Sequence, residues 1–122
     1  MRAIILVGIG GGIGSIFRYL TAMFVAKYFQ PSFPWATFVA NILGCLIIGL
    51  LLGFFERHQI INPDLKYLFV TGFCGGYTTF STFAAENVNL FNSGNSLTAF
   101  AYIAASIIVG LFAVWLGLML TK

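Results

Sequence analysis

The sequence predicts an all-α membrane protein with four transmembrane helices, the third of which is broken. Of the 122 residues, 60% are apolar and only 7% are charged, and the mean hydropathy is +0.99. A soluble domain of this length rarely has such a composition. The apolar residues fall into four runs, each near the ~20 residues that a helix needs to cross the hydrocarbon. One of these runs is interrupted by glycines and hydroxyl side chains.

The four predicted spans are separated by short polar links. The spans lie at residues 3–26, 35–55, 65–91 and 97–120. The links contain residues that end helices, namely Pro31 and Pro34, then Asn62 and Pro63, then Asn92 and Gly94. Because the links are short, we expect one compact four-span domain that covers residues 1–122.

Small residues form regular stripes in the first two spans. Residues 8–14 contain five glycines, but their spacing is not G-x-G-x-x-G and no strand precedes them, so they are not a nucleotide-binding loop. The small residues four apart are Gly8 and Gly12, Gly10 and Gly14, and in the second span Cys45, Gly49 and Gly53. Such faces let helix backbones approach closely. They serve either packing within one subunit or an interface between subunits.

The third span contains the most informative segment of the chain, residues 72–83 (GFCGGYTTFSTF). It combines three glycines, four threonine or serine hydroxyls and two phenylalanines three residues apart. Glycine weakens a helix by about 1 kcal/mol relative to alanine. Irregular backbone at membrane depth persists only where protein buries it or a water-filled cavity meets it. We therefore expect a broken helix at an ion pathway or ion site, rather than a simple anchor.

Three polar side chains lie inside the predicted spans. Arg18 is deep in the first span, where a charge costs about 2.5–3.5 kcal/mol on insertion scales, and it either snorkels to the interface or lines a wet vestibule. Asn41 is in the first third of the second span, and its amide can bond to a neighbouring helix or to an ion. Glu86 lies one turn beyond Phe83, where it could cap a polar path, accept from hydroxyls or reach the interface.

The charges indicate orientation more than function. One side of the membrane carries Arg2, Arg57, Lys66 and Lys122, and the other clearly carries only Lys27. Because lysine and arginine favour the cytoplasmic side, this bias predicts cytoplasmic termini. The net charge of +3 comes mostly from span ends and does not indicate nucleic-acid binding. Cys45 and Cys74 lack C-x-x-C spacing and are expected to be small packing residues.

Three motifs connect the chain to a known family. They are Gly11-Gly12-x-Gly14 with Arg18-Tyr19, Val39-x-Asn41, and residues 72–83. With them, essentially the whole chain resembles the small bacterial fluoride channels of the CrcB/Fluc family, and the third motif is the most specific. The resemblance implies an antiparallel, dual-topology dimer of two identical four-span subunits. It also implies two fluoride pores, each built from both subunits, and a structural Na⁺ at the dimer centre.

The resemblance also assigns roles to particular residues. The implied pore residues are Asn41, Phe80, Ser81 and Phe83, with Thr82 nearby. The implied sodium ligands are the backbone carbonyls of Gly75 and Thr78. Arg18, Glu86 and Ser106 are expected in a vestibule or in support of the pore. On the fourth span, Gly110 and Val114 follow Ser106 where the family has further hydroxyls, so the polar track is incomplete there.

The chemistry of these residues suits fluoride, which is small and strongly hydrated. Neutral amide and hydroxyl donors can replace its water without trapping it as a fixed positive charge would. The edges of phenylalanine rings carry the positive part of the ring quadrupole and can attract an anion. Sodium prefers oxygen ligands, and a broken helix frees carbonyl oxygens at membrane depth.

The expected function is therefore a passive, fluoride-selective channel that exports fluoride across the bacterial inner membrane and relieves its toxicity. Its expected partners are the fluoride ion, a second copy of the chain and membrane lipid. A small multidrug antiporter is the alternative transporter, but it needs a carboxylate in the first span, where this chain has Arg18 instead. A structural membrane subunit would leave the hydroxyl–phenylalanine cluster unexplained. The sequence contains no nucleophile–base pair typical of an enzyme.

Overall fold

The computed structural model describes all residues, 1–122, and is all-helical, as the composition predicts. Three helices are long and apolar enough to cross a membrane: α1 (Arg2–Tyr28), α2 (Trp35–Arg57) and α5 (Ser96–Thr121). The remaining pass consists of two shorter helices, α3 (residues 63–77) and α4 (Phe80–Asn92), on either side of a break. The chain thus makes four helical passes, and the third is interrupted.

The helix boundaries follow the residues that punctuate the links. α2 begins directly after Pro34, because proline disfavours helical backbone in the residue before it. α3 begins at Pro63, and the side chain of Asn62 accepts a hydrogen bond from the Asp64 N–H at 3.0 Å. This is a favourable N-terminus, since proline is pre-set for the first helical position. The turn between α4 and α5 contains Gly94 with φ +81°, a conformation that glycine adopts without strain.

α3 is irregular before it reaches the break. Its central part, Lys66–Cys74, is π-helical, with wider turns than an α-helix. At the end of this part, the Gly75 N–H donates to the carbonyl of Val70, five residues earlier. Extended π-helix is rare in proteins and occurs frequently at functional sites. The break is therefore the end of a distorted helix, and not an isolated kink.

Glycines bring α1 and α3 into backbone contact. A Cβ atom on Gly10 would overlap the carbonyl oxygen of Leu68, and one on Gly14 would overlap that of Phe73. From the opposite side, a Cβ atom on Gly76 would overlap the backbone of α1. Such close approach is possible only where both helices present small residues.

The second pair of closely packed helices is α2 and α5. Gly49 faces the carbonyl of Val114 so closely that a Cβ atom would overlap it. A Cβ atom on Gly117 would lie 2.6 Å from the backbone nitrogen of Leu50. The small-residue stripe of the second span therefore packs within the subunit.

The two glycine stripes of the first span differ in what they contact. Gly10 and Gly14 are buried against α3, so this stripe packs within the subunit. Gly8 and Gly12 are exposed, and a Cβ atom on either would meet nothing within 4 Å. The outer stripe is therefore free to contact lipid or another chain.

Two ion pairs place the chain ends beside the link between α2 and α3. Arg2 Nη1 lies 3.3 Å from Asp64 Oδ2, and Lys122 Nζ lies 3.6 Å from Glu56 Oε1. At least one partner of each pair is largely exposed, and such pairs contribute little to stability. They show that both termini and this link lie at the same end of the bundle.

We expect Gly14→Val to prevent correct folding, whereas Gly12→Val should be tolerated by the single chain. The added atoms at position 14 have no room against the backbone of α3, and overpacking costs about 1–3 kcal/mol even in soluble cores. Position 12 faces open space. Size-exclusion profiles of the two variants, expressed in parallel, measure the difference. A monodisperse Gly14→Val protein would contradict the close α1–α3 packing.

Candidate functional site

The break in the third pass consists of two extended residues. Thr78 has φ −86° and ψ 159°, and Thr79 has φ −149° and ψ 120°. The side chain of Asn41 spans the break from α2: its Nδ2 donates to the Thr79 carbonyl at 3.1 Å, and its Oδ1 accepts from the Thr79 N–H at 2.8 Å. An unpaired buried backbone group costs about 1–3 kcal/mol. Asn41 therefore stabilises the break by satisfying both backbone groups of one residue.

The same hydrogen bonds leave carbonyl oxygens of the break without their helical donors. The Thr79 N–H would bond to the Gly75 carbonyl in a continuous α-helix, but it donates to Asn41. The Thr82 N–H would bond to the Thr78 carbonyl, but it donates to the Thr79 hydroxyl at 3.3 Å and so caps α4. The carbonyls of Gly75 and Thr78 thus lose their usual partners, which makes them candidate ligands for a hard cation.

A groove of about 470 Å³ runs beside the break, between α2, α3 and α5. Most of the residues predicted for the pore, its support or the sodium site line it, namely Asn41, Gly75, Thr78, Phe80, Phe83 and Ser106. The Ser106 hydroxyl is buried and has no hydrogen-bond partner within the chain. Buried hydroxyls are normally satisfied, so an unpaired one beside a groove is a candidate contact for an ion or water.

Aromatic rings continue from the groove toward α5. The Phe80 and Phe83 ring centres are 5.8 Å apart, and Phe83 meets Tyr102 edge-on at 4.9 Å. Phe80 is 78% exposed, an unusual position for a phenylalanine that only fills a core. Its ring is therefore available to a second chain or to an ion.

Glu86 accepts two hydroxyl hydrogen bonds at the far end of this ring cluster. Thr37 Oγ1 donates to Oε2 at 2.9 Å, and Tyr102 Oη donates to Oε1 at 2.9 Å. Of the three positions that the sequence allowed for Glu86, acceptance from hydroxyls is the observed one. Tyr102 is fully buried, and its role was not predicted from the sequence. Its spacing from Ser106 could have indicated it, because Tyr102 lies one turn before Ser106 on the same helix face.

Arg18 lies in a separate hollow of about 290 Å³ on the other side of the break. Its Nε donates to the Gly76 carbonyl at 3.2 Å. Hydroxyl side chains surround it, from Ser15, Tyr19, Thr37, Thr79 and Thr82. The guanidinium is thus held at the break among polar groups.

The residues predicted for the pore do not all lie in the groove. Thr82 lines the Arg18 hollow and not the groove, and its hydroxyl accepts from Thr79 Oγ1 at 3.1 Å. Ser81 is exposed and lines neither the groove nor the hollow. Within one chain, Ser81 and Thr82 are therefore apart from the groove that contains Asn41, Phe80 and Phe83.

The two helix ends at the break give the site opposite electrostatic preferences. α4 begins at Phe80, and the N-terminal end of a helix carries a partial positive charge that attracts anions. α3 ends with carbonyl groups, which attract cations. Discontinuous membrane helices use these two ends to bind anions and coordinate cations at membrane depth. The arrangement is that of a multi-span membrane protein with a candidate ion site at a helix break.

Comparison with known proteins agrees with this class. Residues 5–118 match the family described as CrcB-like protein, Camphor Resistance (CrcB). The chain is 50% identical over 122 residues to the fluoride-specific ion channel FluC of Flavobacterium psychrophilum, with 100% of this chain and 98% of that protein covered. The chain therefore belongs to the CrcB family.

Other relatives are also named fluoride-specific ion channels. The chain is 47% identical over 119 residues to fluoride-specific ion channel FluC 2 of Rhodococcus jostii, with 98% of each chain covered. It is 44% identical over 122 residues to FluC of Azobacteroides pseudotrichonymphae, with 100% of this chain and 98% of that protein covered. These relatives do not favour the multidrug antiporter alternative, and α1 contains no carboxylate that an antiporter would need.

Proposed function

We propose that this chain forms a passive, fluoride-selective channel that exports fluoride and so relieves its toxicity. The observation that carries the proposal is the groove at the break, which combines neutral donors with an exposed ring in a chain 50% identical to a fluoride-specific channel. The multiple apolar helices make it a membrane protein, and we place it in the bacterial inner membrane. Its exposed apolar faces would contact lipid.

The proposed path follows the groove residues in order. Asn41 has one amide hydrogen bonded to Thr79 and a second one free, which can point to an ion. The unpaired Ser106 hydroxyl supplies another neutral donor. Phe80 and Phe83 would present ring edges to the ion. Tyr102 and Glu86 would form the far end of the path. Such groups can replace the water of fluoride without holding the ion so tightly that it cannot leave.

We further propose that two chains assemble antiparallel, with two pores and one Na⁺ at the centre. One chain offers only the carbonyls of Gly75 and Thr78, and two oxygens are too few for a hard cation, which typically takes about six or more. Gly75 is exposed, and a Cβ atom there would meet nothing within 4 Å, so a second chain can approach it. The ion would stabilise the dimer and offset negative potential near a passing anion.

Ser81, Thr82 and Arg18 have roles in this proposal that one chain does not complete. Ser81 is exposed, so it would reach a pore only across a subunit interface. Thr82 and Arg18 share the hollow behind the break, which would become a vestibule. There the guanidinium would raise the local concentration of anions without lying in the narrow path.

Replacing Phe80 or Phe83 with isoleucine should reduce fluoride flux while preserving the fold. Isoleucine keeps apolar bulk but removes the ring edge. A quadrupole contact of about 1 kcal/mol, the size found in aromatic pairs, corresponds to roughly fivefold in rate. Phe80→Met should be intermediate, because sulfur is polarisable. The measurement is fluoride efflux from proteoliposomes under a K⁺ gradient with valinomycin.

The matched controls are Phe17, Phe24 and Phe112, which pack against single aromatic neighbours on exposed helix faces. Their isoleucine variants should conduct almost normally. Equal flux in the control and groove variants would assign Phe80 and Phe83 to packing and remove them from the path.

Subunit orientation can be tested with tags and single cysteines. We expect termini on both sides of the membrane in a functional homodimer, despite the bias of four basic residues against one. A cysteine placed at exposed Gly12 in a cysteine-free background gives a cross-linking site on the outward stripe of α1. Termini found on the cytoplasmic side alone, in dimers that conduct, would rule out the antiparallel arrangement.

A further inference from the structure

Basic side chains outnumber the carboxylates available to them around the link between α2 and α3, residues 58–62. Arg57 ends α2 directly before this link, and Lys66 follows it on α3. Both are exposed, and neither forms an ion pair with a carboxylate. Of the three carboxylate side chains in the sequence, two are in the ion pairs described above, and Glu86 accepts from hydroxyls inside the bundle. Two positive charges at this end of the bundle are therefore left without a partner in the chain.

A hollow of about 630 Å³, which we call the link hollow, lies beside the same link. Its polar residues are Glu56, Gln59 and Lys66, and its other four residues are apolar. One of the apolar side chains, that of Ile61, is 91% exposed. Because Glu56 is paired with Lys122, the unpaired charge of the hollow is that of Lys66. At the end of membrane-spanning helices, a cation beside apolar walls is at the level where lipid headgroups meet acyl chains.

We propose that the link hollow binds one anionic phospholipid. Lys66 would contact the phosphate, and the apolar walls would take the start of an acyl chain. Arg57 does not line the hollow, so it would attract the headgroup through its charge rather than by contact. Basic pockets between membrane helices are known to bind anionic headgroups.

The choice of occupant follows from the two kinds of surface at the link hollow. A free phosphate would leave the apolar walls in contact with water, and a lipid without net charge would leave two cations without a counter-ion. An anionic phospholipid satisfies both surfaces. The opposite end of the bundle lacks this combination, because the links at residues 29–34 and 93–95 contain no charged residue. Lipid binding at the link hollow depends on neither fluoride conduction nor dimer formation.

Binding is measured by native mass spectrometry on the purified full-length protein in detergent, titrated with phosphatidylglycerol or with phosphatidylcholine of the same acyl chains. A basic side chain near an anionic headgroup contributes about fivefold to affinity, the equivalent of about 1 kcal/mol. The wild-type chain should therefore bind its first phosphatidylglycerol about 25-fold more tightly than phosphatidylcholine. Lys66→Gln and Arg57→Gln should each reduce this preference by about fivefold, and the double variant should remove it.

The matched control is Lys27→Gln, which removes the same charge from an exposed position at the other end of the bundle and should keep the full preference. Ile61→Ser should weaken binding of both lipids by a similar factor, because it changes only the apolar contact. Equal affinity of the wild type for the two lipids, or an unchanged preference in the double variant, would overturn the site. Displacement of the lipid by a tenfold excess of glycerol 3-phosphate would assign the surface to free phosphates and would likewise overturn the proposal.

Discussion

Asn41→Asp should abolish fluoride efflux and leave the protein folded. The carboxylate keeps the size of the amide and can still accept from the Thr79 N–H, so one of the two hydrogen bonds between residue 41 and Thr79 persists. It cannot donate to the Thr79 carbonyl or to an anion. Two like charges about 4 Å apart repel by about 4 kcal/mol at an effective dielectric constant of 20. A barrier increase of that size lowers flux by more than about 100-fold.

The measurement is efflux from proteoliposomes, with the helical content and the elution profile of the variant checked in parallel. Asn95→Asp in the link between α4 and α5 adds the same charge at an exposed position and should conduct normally. Asn41→Leu removes both hydrogen bonds to Thr79 without adding a charge. It therefore measures how much flux depends on these two bonds alone. Normal flux through a folded Asn41→Asp protein would exclude Asn41 from the path.

Gly75→Val should abolish flux and weaken the dimer, although a Cβ atom at this position meets no other group of the single chain. A Cβ atom at position 75 meets nothing within 4 Å, and valine is not a poorer helix former than glycine. Any loss must therefore come from a partner that approaches this surface. Subunit stoichiometry in membranes, by single-molecule photobleaching, and fluoride efflux together measure the effect.

Ala101→Val is the matched control, because Ala101 is an exposed residue on α5 and outside the groove. It should remain dimeric and active. If Gly75→Val were dimeric and conducted like the control, the surface around Gly75 would be outside the interface, and the proposed sodium site would be wrong.

The sequence predicted the class of the fold because composition and span length decide it. The break was also predictable, since only in the third span are glycines followed by a cluster of four threonine and serine hydroxyls. Its position at Thr78 and Thr79 was not, because the hydrogen bonds that satisfy the extended backbone of Thr79 come from Asn41, which is 38 positions away. Whether the Asn41 amide bonds to a neighbouring segment or to an ion likewise depends on a tertiary contact that the sequence does not reveal.

The small-residue stripes illustrate the same limit. Gly8 with Gly12 and Gly10 with Gly14 have identical spacing, yet only the second pair contacts α3. Which stripe faces inward depends on the rotation of α1 about its axis, and periodicity alone does not set that rotation. Tyr102 was missed for a related reason, because its hydroxyl acquires a role only when Glu86 is brought to it.

The central claim is fluoride conduction, and wild-type efflux tests it most directly. Purified protein is reconstituted into liposomes loaded with potassium fluoride, and valinomycin is added to start passive efflux, which a fluoride electrode records. The same vesicles loaded with potassium chloride and read with a chloride electrode give the selectivity. We expect rapid fluoride release and almost no chloride release. Equal release of the two anions, or no fluoride release from folded protein, would contradict it.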